Sequence, residues 1–192
     1  MWVLLLLGGV TVFIFVERFV AIRKASHIDP NFMNKLRELI CEGRIDGAVK
    51  LCRNTDSPVA RMMEKGISRL GRPMGDIQTS IENEANLEVS RLENGLPILA
   101  TIASGAPMLG FLGTVTGMVQ AFFAMASAGS NANVTVLASG IYEALVTTVA
   151  GLFVGIIALF AYNYLVAMVN KVMKQLEAKT MEFLDLLNEP AQ

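Results

Sequence analysis

The chain has 192 residues, 53% of them hydrophobic, with a mean hydropathy of +0.50 and a formal net charge of −1. That composition is too apolar for an ordinary soluble domain and fits a protein that crosses a membrane several times. The 16 Lys and Arg nearly balance the 17 Asp and Glu, and no basic patch interleaved with aromatics is present, so no nucleic-acid partner is expected.

Residues 1–24 read as the first transmembrane helix. The apolar run from Met1 to Val16 rises only about 24 Å as a helix, so it reaches full span with Glu17 and Arg18 near the headgroups, snorkelling outward. Arg18, Arg23 and Lys24 follow the apolar run instead of preceding it, which argues for a retained anchor over a signal peptide. The reading leaves room for a few residues ahead of Met1.

Residues 25–93 carry most of the charge and read as a helical cytoplasmic domain. Asp29-Pro30 is expected to cap a helix over Phe32–Cys41, with proline at its first position. Gly43 ends it, and Ile45–Cys52 forms a short second helix. Over Pro58–Leu70, Val59, Met62, Met63, Ile67 and Leu70 recur at helical spacing until Gly71-Arg72-Pro73 breaks the pattern. Asp76 is then expected to cap a long helix from Ile77 into the second span. Cys41 and Cys52 lack the companions of a metal site and read as reduced, buried small hydrophobes. His27 reads as an ordinary polar residue.

From Asn94 to Asn170 the chain runs through 77 residues with one charged side chain, Glu143. That is enough for two spans of about 20 residues each. The second transmembrane segment falls in residues 94–128 and the third in 138–169, joined by a short uncharged periplasmic loop, 129–137. Both helices exceed the hydrocarbon thickness and should project from the membrane. Asn133-Val-Thr135 matches a glycosylation sequon, a pattern short enough to arise by chance. The C-terminal helix, 170–192, places Val172, Leu176, Phe183 and Leu187 on one face. Thirteen Lys and Arg lie in residues 18–91, three in 171–179 and none in the 129–137 loop. The positive-inside rule therefore puts the N-terminus outside and the C-terminus in the cytoplasm. The fold class expected is an all-α integral membrane protein with three transmembrane helices, two of them long and extending into a helical cytoplasmic domain.

No Ser-His-Asp set, paired catalytic carboxylates, phosphate loop or metal-ligand spacing is present, so we expect no enzyme and no metal or organic cofactor. Polar residues do punctuate the apolar spans: Thr101, Ser104, Thr114, Thr116 and Gln120 in the second, Thr147, Thr148 and Asn163 in the third. Singly, such hydroxyls bond their own backbone or glue helices together. As a set they are candidates to line a polar path. Glu143 sits near the outer end of the third span, where it either faces headgroups or joins that path, and Thr147 at i+4 shares its face. Gly113-x-x-x-Gly117 and Gly151-x-x-x-Gly155 permit close helix packing, and Pro107 removes a backbone hydrogen bond within the second span. Hydroxyls hold no proton at ordinary pH, so a proton path here needs a titratable group from a partner helix.

Residues 103–118 (ASGAPMLGFLGTVTGM), 140–152 (GIYEALVTTVAGL) and Tyr162-Asn163 together resemble the MotA/TolQ/ExbB family of ion-driven motor subunits, on its ExbB/TolQ side, with the ExbB type foremost. The resemblance implies a homopentamer in the bacterial inner membrane around an ExbD- or TolR-like dimer with a membrane Asp. It implies a TonB- or TolA-like protein as the recipient of the proton motive force. By motif position Thr114 and Thr148 would line the pore, with Glu143 as the motif glutamate. Thr147 beside Thr148 leaves open which hydroxyl faces the pore, and H+ and Na+ both stay open as the coupling ion.

Overall fold

A computed structural model describes residues 1–27, 29–128 and 134–188, and every regular element among them is an α-helix. In chain order these are α1 (Trp2–Ser26), α2 (Phe32–Cys41), α3 (Ile45–Asn54), α4 (Pro58–Ile67), α5 (Met74–Glu93), α6 (Leu96–Ala128) and α7 (Val134–Asn188). Residues 129–133 of the expected loop, with Asn133 of the sequon, lie outside the described residues, and so do residues 189–192 of the expected tail. α7 already includes residues 134–137. Three helical stretches are long and apolar enough to cross a bilayer: Trp2–Ser26, Met74–Ala128 and Leu137–Asn188. The protein is an all-α membrane protein.

Its residues separate into two compact units. One joins Met1–Glu17 to Gly95–Leu165, and the other joins Arg18–Asn94 to Val166–Gln192. The helix expected to run unbroken from Ile77 into the second span is divided at their boundary. α5 begins at Met74 with Pro73 as its N-cap, so Asp76 lies within the first turn and is not the cap. There its charge still favours the helix dipole. Helical geometry stops at Asn94, whose ψ is 130°, and Gly95 follows with a φ of 86°. A Cβ disfavours that left-handed conformation, and glycine has none.

In the first unit, Leu4 of α1, Ile102 and Ala106 of α6 and Ala158 of α7 form a buried core. Two of these four are alanines, which lets the helices approach closely. The opposite faces are apolar and open: Trp2, Phe13, Met108, Phe111, Phe123 and Phe160 are all exposed. A surface of this kind is what a bilayer or neighbouring helices must cover.

The second unit follows the logic of a water-soluble bundle. α4 is its hub, with Val59, Ala60, Met62 and Met63 fully buried. Ser57 caps it by accepting the Ala60 N–H at 3.2 Å, and Pro58 occupies its first turn. The helix ends at Ile67, so Leu70 falls in the following turn. Gly66 is set against Ile81 and Phe183, where a Cβ would lie 2.7 and 2.8 Å from their side chains. The amphipathic end of α7 therefore finds its partner helices within this unit, with Val172, Leu176 and Phe183 buried. At α2 the N-cap is Asn31. The Asp29 carboxylate accepts the Asn31 N–H at 2.9 Å and closes a turn ahead of the helix, since Pro30 lies in that turn and not at the first helical position.

One carboxylate is buried there. Glu88 on α5 receives Arg61 Nε at 2.9 Å and Nη2 at 2.7 Å, and Arg91 bonds it as well. Arg61 also reaches Asp56 at 3.0 Å, and Asp56 pairs with Lys24 of α1 at 2.8 Å. The hydrogen bonds that Arg61 donates to Glu88 hold its guanidinium above its ordinary value. The hydrogen bond from Lys24, then that from Arg61, holds the Asp56 carboxyl below its own. A depressed carboxyl contributes stability above the unfolded range that is lost as pH falls through the folded value. Asp56 is largely exposed, so solvent screens most of it.

The expectation that both cysteines are buried holds for Cys52 only; Cys41 is exposed at the end of α2, and both are free thiols. Burial, reinforced by the negative charge of Glu64, pushes the Cys52 thiol up to about 12.

Three outcomes follow for this unit. Glu88→Gln leaves Arg61 with a weaker partner and should lower stability by about 1–3 kcal/mol, read as an earlier thermal transition in detergent. Maleimide at pH 8 should label Cys41 and spare Cys52 until the protein is denatured. Because the unfolded chain ionises Cys52 near the ordinary thiol value of 9.0, stability should also decline as pH rises above it.

Candidate functional site in the first unit

The site begins with missing side chains. A Cβ on Gly151 of α7 would lie 2.6 Å from the Ala106 carbonyl oxygen and 2.8 Å from Gly110 Cα of α6. A Cβ on Gly110 would in turn lie 3.1 Å from Thr148 Cα and 3.2 Å from Gly151 Cα. The two main chains are thus in direct contact, which glycine alone permits. Further along, Gly117 faces Ala144, and Gly140 faces Ala121, where a Cβ would lie 2.8 and 2.6 Å from the opposing Cβ. In the other direction Gly155 faces the Pro107 ring, with 2.5 Å left to its Cγ. Pro107 lies inside an unbroken α6 and cannot donate to the Ala103 carbonyl one turn back. A Cβ on Gly155 would be 3.1 Å from that same oxygen, so the carbonyl is turned toward α7.

This close approach brings two hydroxyls together. Thr114 Oγ1 of α6 and Thr148 Oγ1 of α7 are hydrogen-bonded to each other, and Thr148 donates across the interface to the Gly110 carbonyl at 3.0 Å. Thr114 lies 3.3 Å from the same oxygen. Thr114 is 9% exposed and Thr148 is half-buried, so the pair sits at the rim of the packed face.

The remaining hydroxyls behave otherwise. Thr101, Ser104, Thr116 and Thr147 donate to carbonyls one turn back on their own helices, at 2.8, 3.2, 2.9 and 3.0 Å. The ordinary local role of an intramembrane hydroxyl accounts for these four. Thr147 meets the main-chain carbonyl of Glu143, while the Glu143 carboxylate is exposed on α7. The methyl group of Thr147 packs on Gly113, where a Cβ would lie 2.5 Å from it. Thr147 and Thr148 therefore point to different surroundings, one toward a packing contact and one toward Thr114.

Sequence reasoning named Gly113, Gly117, Gly151 and Gly155, all of which lie at contacts between α6 and α7. It missed Gly110 and Gly140. The available signal was spacing: Gly110 precedes Thr114 by four residues, so its carbonyl and the Thr114 hydroxyl share one helix face.

The model of the MotA/TolQ/ExbB proton channel family matches residues 54–178, more than half of the chain and all of this site. Among individual proteins, a putative biopolymer transport protein ExbB homolog of Methanothermobacter thermautotrophicus is 30% identical over 162 residues, 84% of this chain and 57% of that protein. The Tol-Pal system protein TolQ of Haemophilus influenzae is 42% identical over 106 residues, 55% of this chain and 46% of its own length. The biopolymer transport protein ExbB of Neisseria gonorrhoeae is 28% identical over 176 residues, covering 84% of this chain and 78% of its own. The aligned part of this chain spans about half the length of the first two relatives.

The glycine contacts predict a graded response. Gly105 has nothing within 4 Å of an added Cβ, whereas at Gly151 the added atom meets main chain that cannot rotate away. Gly105→Ala should be neutral or stabilising, by up to about 1 kcal/mol. Gly151→Ala should cost about 1–3 kcal/mol, and Gly151→Leu or Gly155→Leu should prevent assembly. Thermal unfolding and size-exclusion profiles in detergent measure both.

Proposed function

The chain belongs to the MotA/TolQ/ExbB proton channel family, and from that premise we propose that it is the multi-span subunit of an ion-driven motor of the ExbB or TolQ kind. Five copies surround the membrane helices of an ExbD- or TolR-like dimer in the bacterial inner membrane. The partner's membrane aspartate carries the coupling ion, and the assembly passes proton motive force to a TonB- or TolA-like protein. The N-terminus lies outside and the charged second unit in the cytoplasm, as the distribution of Lys and Arg favours.

One observation carries this reading: the Thr114–Thr148 pair, held at a glycine-lined contact within a stretch that has a single ionisable carboxylate. A charge in hydrocarbon costs roughly 2.5–3.5 kcal/mol even on the lenient insertion scale, so an ion crossing here needs fixed polar ligands. Hydroxyls supply such ligands without trapping the ion, and they do not titrate. The titratable group then belongs to the partner. H+ and Na+ are both compatible with hydroxyl ligands.

Thr→Val keeps the shape of the side chain and deletes donor and acceptor together, separating chemistry from packing. The Thr114→Val/Thr148→Val double variant should assemble with its partner and lose uncoupler-sensitive transport at least tenfold, while Glu143→Gln should impair it only mildly. Full transport by an assembled double variant rules out the pore role of the pair. Topology has its own test: an impermeant maleimide should reach exposed Cys41 only from the cytoplasmic face of membrane vesicles.

A further inference from the structure

The hydroxyl pair has a proton count that decides what it can hold. A threonine hydroxyl carries one hydrogen and two lone pairs. Thr114 and Thr148 share one hydrogen bond, which consumes one of their two hydrogens. The Gly110 carbonyl takes the other, since it lies 3.0 Å from Thr148 Oγ1 and 3.3 Å from Thr114 Oγ1. In either direction both hydrogens are spent inside the chain. The shorter distance favours the order Thr114 to Thr148 to Gly110 carbonyl, which leaves the free acceptor capacity mainly on Thr114 Oγ1. Thr147 adds no donor, because its hydrogen is spent on the Glu143 carbonyl at 3.0 Å.

We propose that the Thr114–Thr148 pair is an acceptor-only site, which holds the neutral, hydrogen-donating form of a partner carboxyl group and offers nothing to its carboxylate. The inference rests on the reading above that a partner's membrane carboxyl comes against this pair. A carboxylate only accepts hydrogen bonds, so it would face lone pairs unless one of the internal bonds broke. The rest of the unit does not reverse this preference. Its two segments, Met1–Glu17 and Gly95–Leu165, contain no Lys, Arg or His. Their ionisable side chains are Glu17, Tyr142, Glu143, Tyr162 and Tyr164. The site therefore retains the carboxyl while it is loaded with a proton and releases it once the proton has left, a preference for one state of the cycle written in hydrogen-bond direction.

The test uses membranes containing the full chain co-expressed with its single-span partner, treated with dicyclohexylcarbodiimide, a reagent selective for protonated carboxyl groups in apolar surroundings. Labelling of the partner's membrane carboxyl is followed by mass spectrometry across a pH series, normalised to a carboxyl-free peptide of the same partner. Thr114→Val should lower the labelling midpoint by about half to one pH unit, the worth of one hydrogen bond. Thr148→Val should lower it less, because Thr114 keeps its lone pairs when its hydrogen turns to the Gly110 carbonyl. Thr114→Ser should keep the unsubstituted midpoint. If Thr114→Val is not recovered as a complex, Thr148→Val against Thr114→Ser makes the same comparison. A midpoint that rises in the Val variants means that the pair donates to a carboxylate, which overturns this inference and leaves the pore reading standing. A midpoint unmoved in every variant overturns both. Suppression of labelling by sodium at constant ionic strength, lost in Thr114→Val, means that the lone pairs hold a cation and also overturns the inference.

Discussion

The contact between the main chains of α6 and α7 at Gly110 and Gly151 is the constraint on which the first unit depends. No hydrophobic force drives helices together inside a bilayer, because lipid tails are as apolar as side chains. Association there relies on close packing and on hydrogen bonds across the interface, and both need the backbones to approach. With 2.6 Å between a would-be Cβ of Gly151 and the Ala106 carbonyl, the approach leaves no room for alanine. The same closeness lets Thr148 reach a carbonyl on the opposing helix. Packing and chemistry thus have one origin, and a change that spreads the helices removes both.

The second unit is built on different physics. Its helices are short and individually marginal, so their stability comes from burying apolar faces around α4. It also buries the carboxylate of Glu88, which is tolerable because guanidinium groups of Arg61 and Arg91 satisfy both of its oxygens. Through Asp56 and Lys24 that charge network extends from α5 and α4 to the end of α1. α1 and α7 each contribute to both units, so their sequences change character partway along: apolar on all sides within the first unit, amphipathic within the second.

Family membership and site geometry constrain the protein in complementary ways. The matched region covers the hydroxyl pair, its glycine contacts and about half of the second unit. The relatives include ExbB and TolQ proteins at comparable similarity, so membership alone does not choose between those roles. What the geometry adds is selectivity among similar residues. Of the hydroxyls in the two long helices, Thr101, Ser104, Thr116, Ser127, Thr147 and Thr180 bond carbonyls of their own helix, whereas Thr114 and Thr148 bond each other across the interface.

The sequence by itself determined the membrane class, the three spans and most helix boundaries of the second unit. Hydropathy, charge segregation and 3.6-residue periodicity are local properties that survive in a one-dimensional record. It also pointed to four glycines through small-residue spacing, while hydroxyls in an apolar run gave only a set of candidates, from which the motif resemblance singled out Thr114 and Thr148. It ran α5 through Asn94-Gly95, since the left-handed turn depends on a backbone angle that composition only permits. Asp29 and Asp76 looked like caps, yet Asn31 and Pro73 took those places once the helices began where packing set them. Only the tertiary structure decided which hydroxyls bond their own helix and which bond across. That choice depends on the rotation of α7 against α6, set by where glycine lets main chain touch main chain. The importance of Gly110 is of the same kind, since a carbonyl oxygen carries no signature in the sequence and acquires its role from what packs against it.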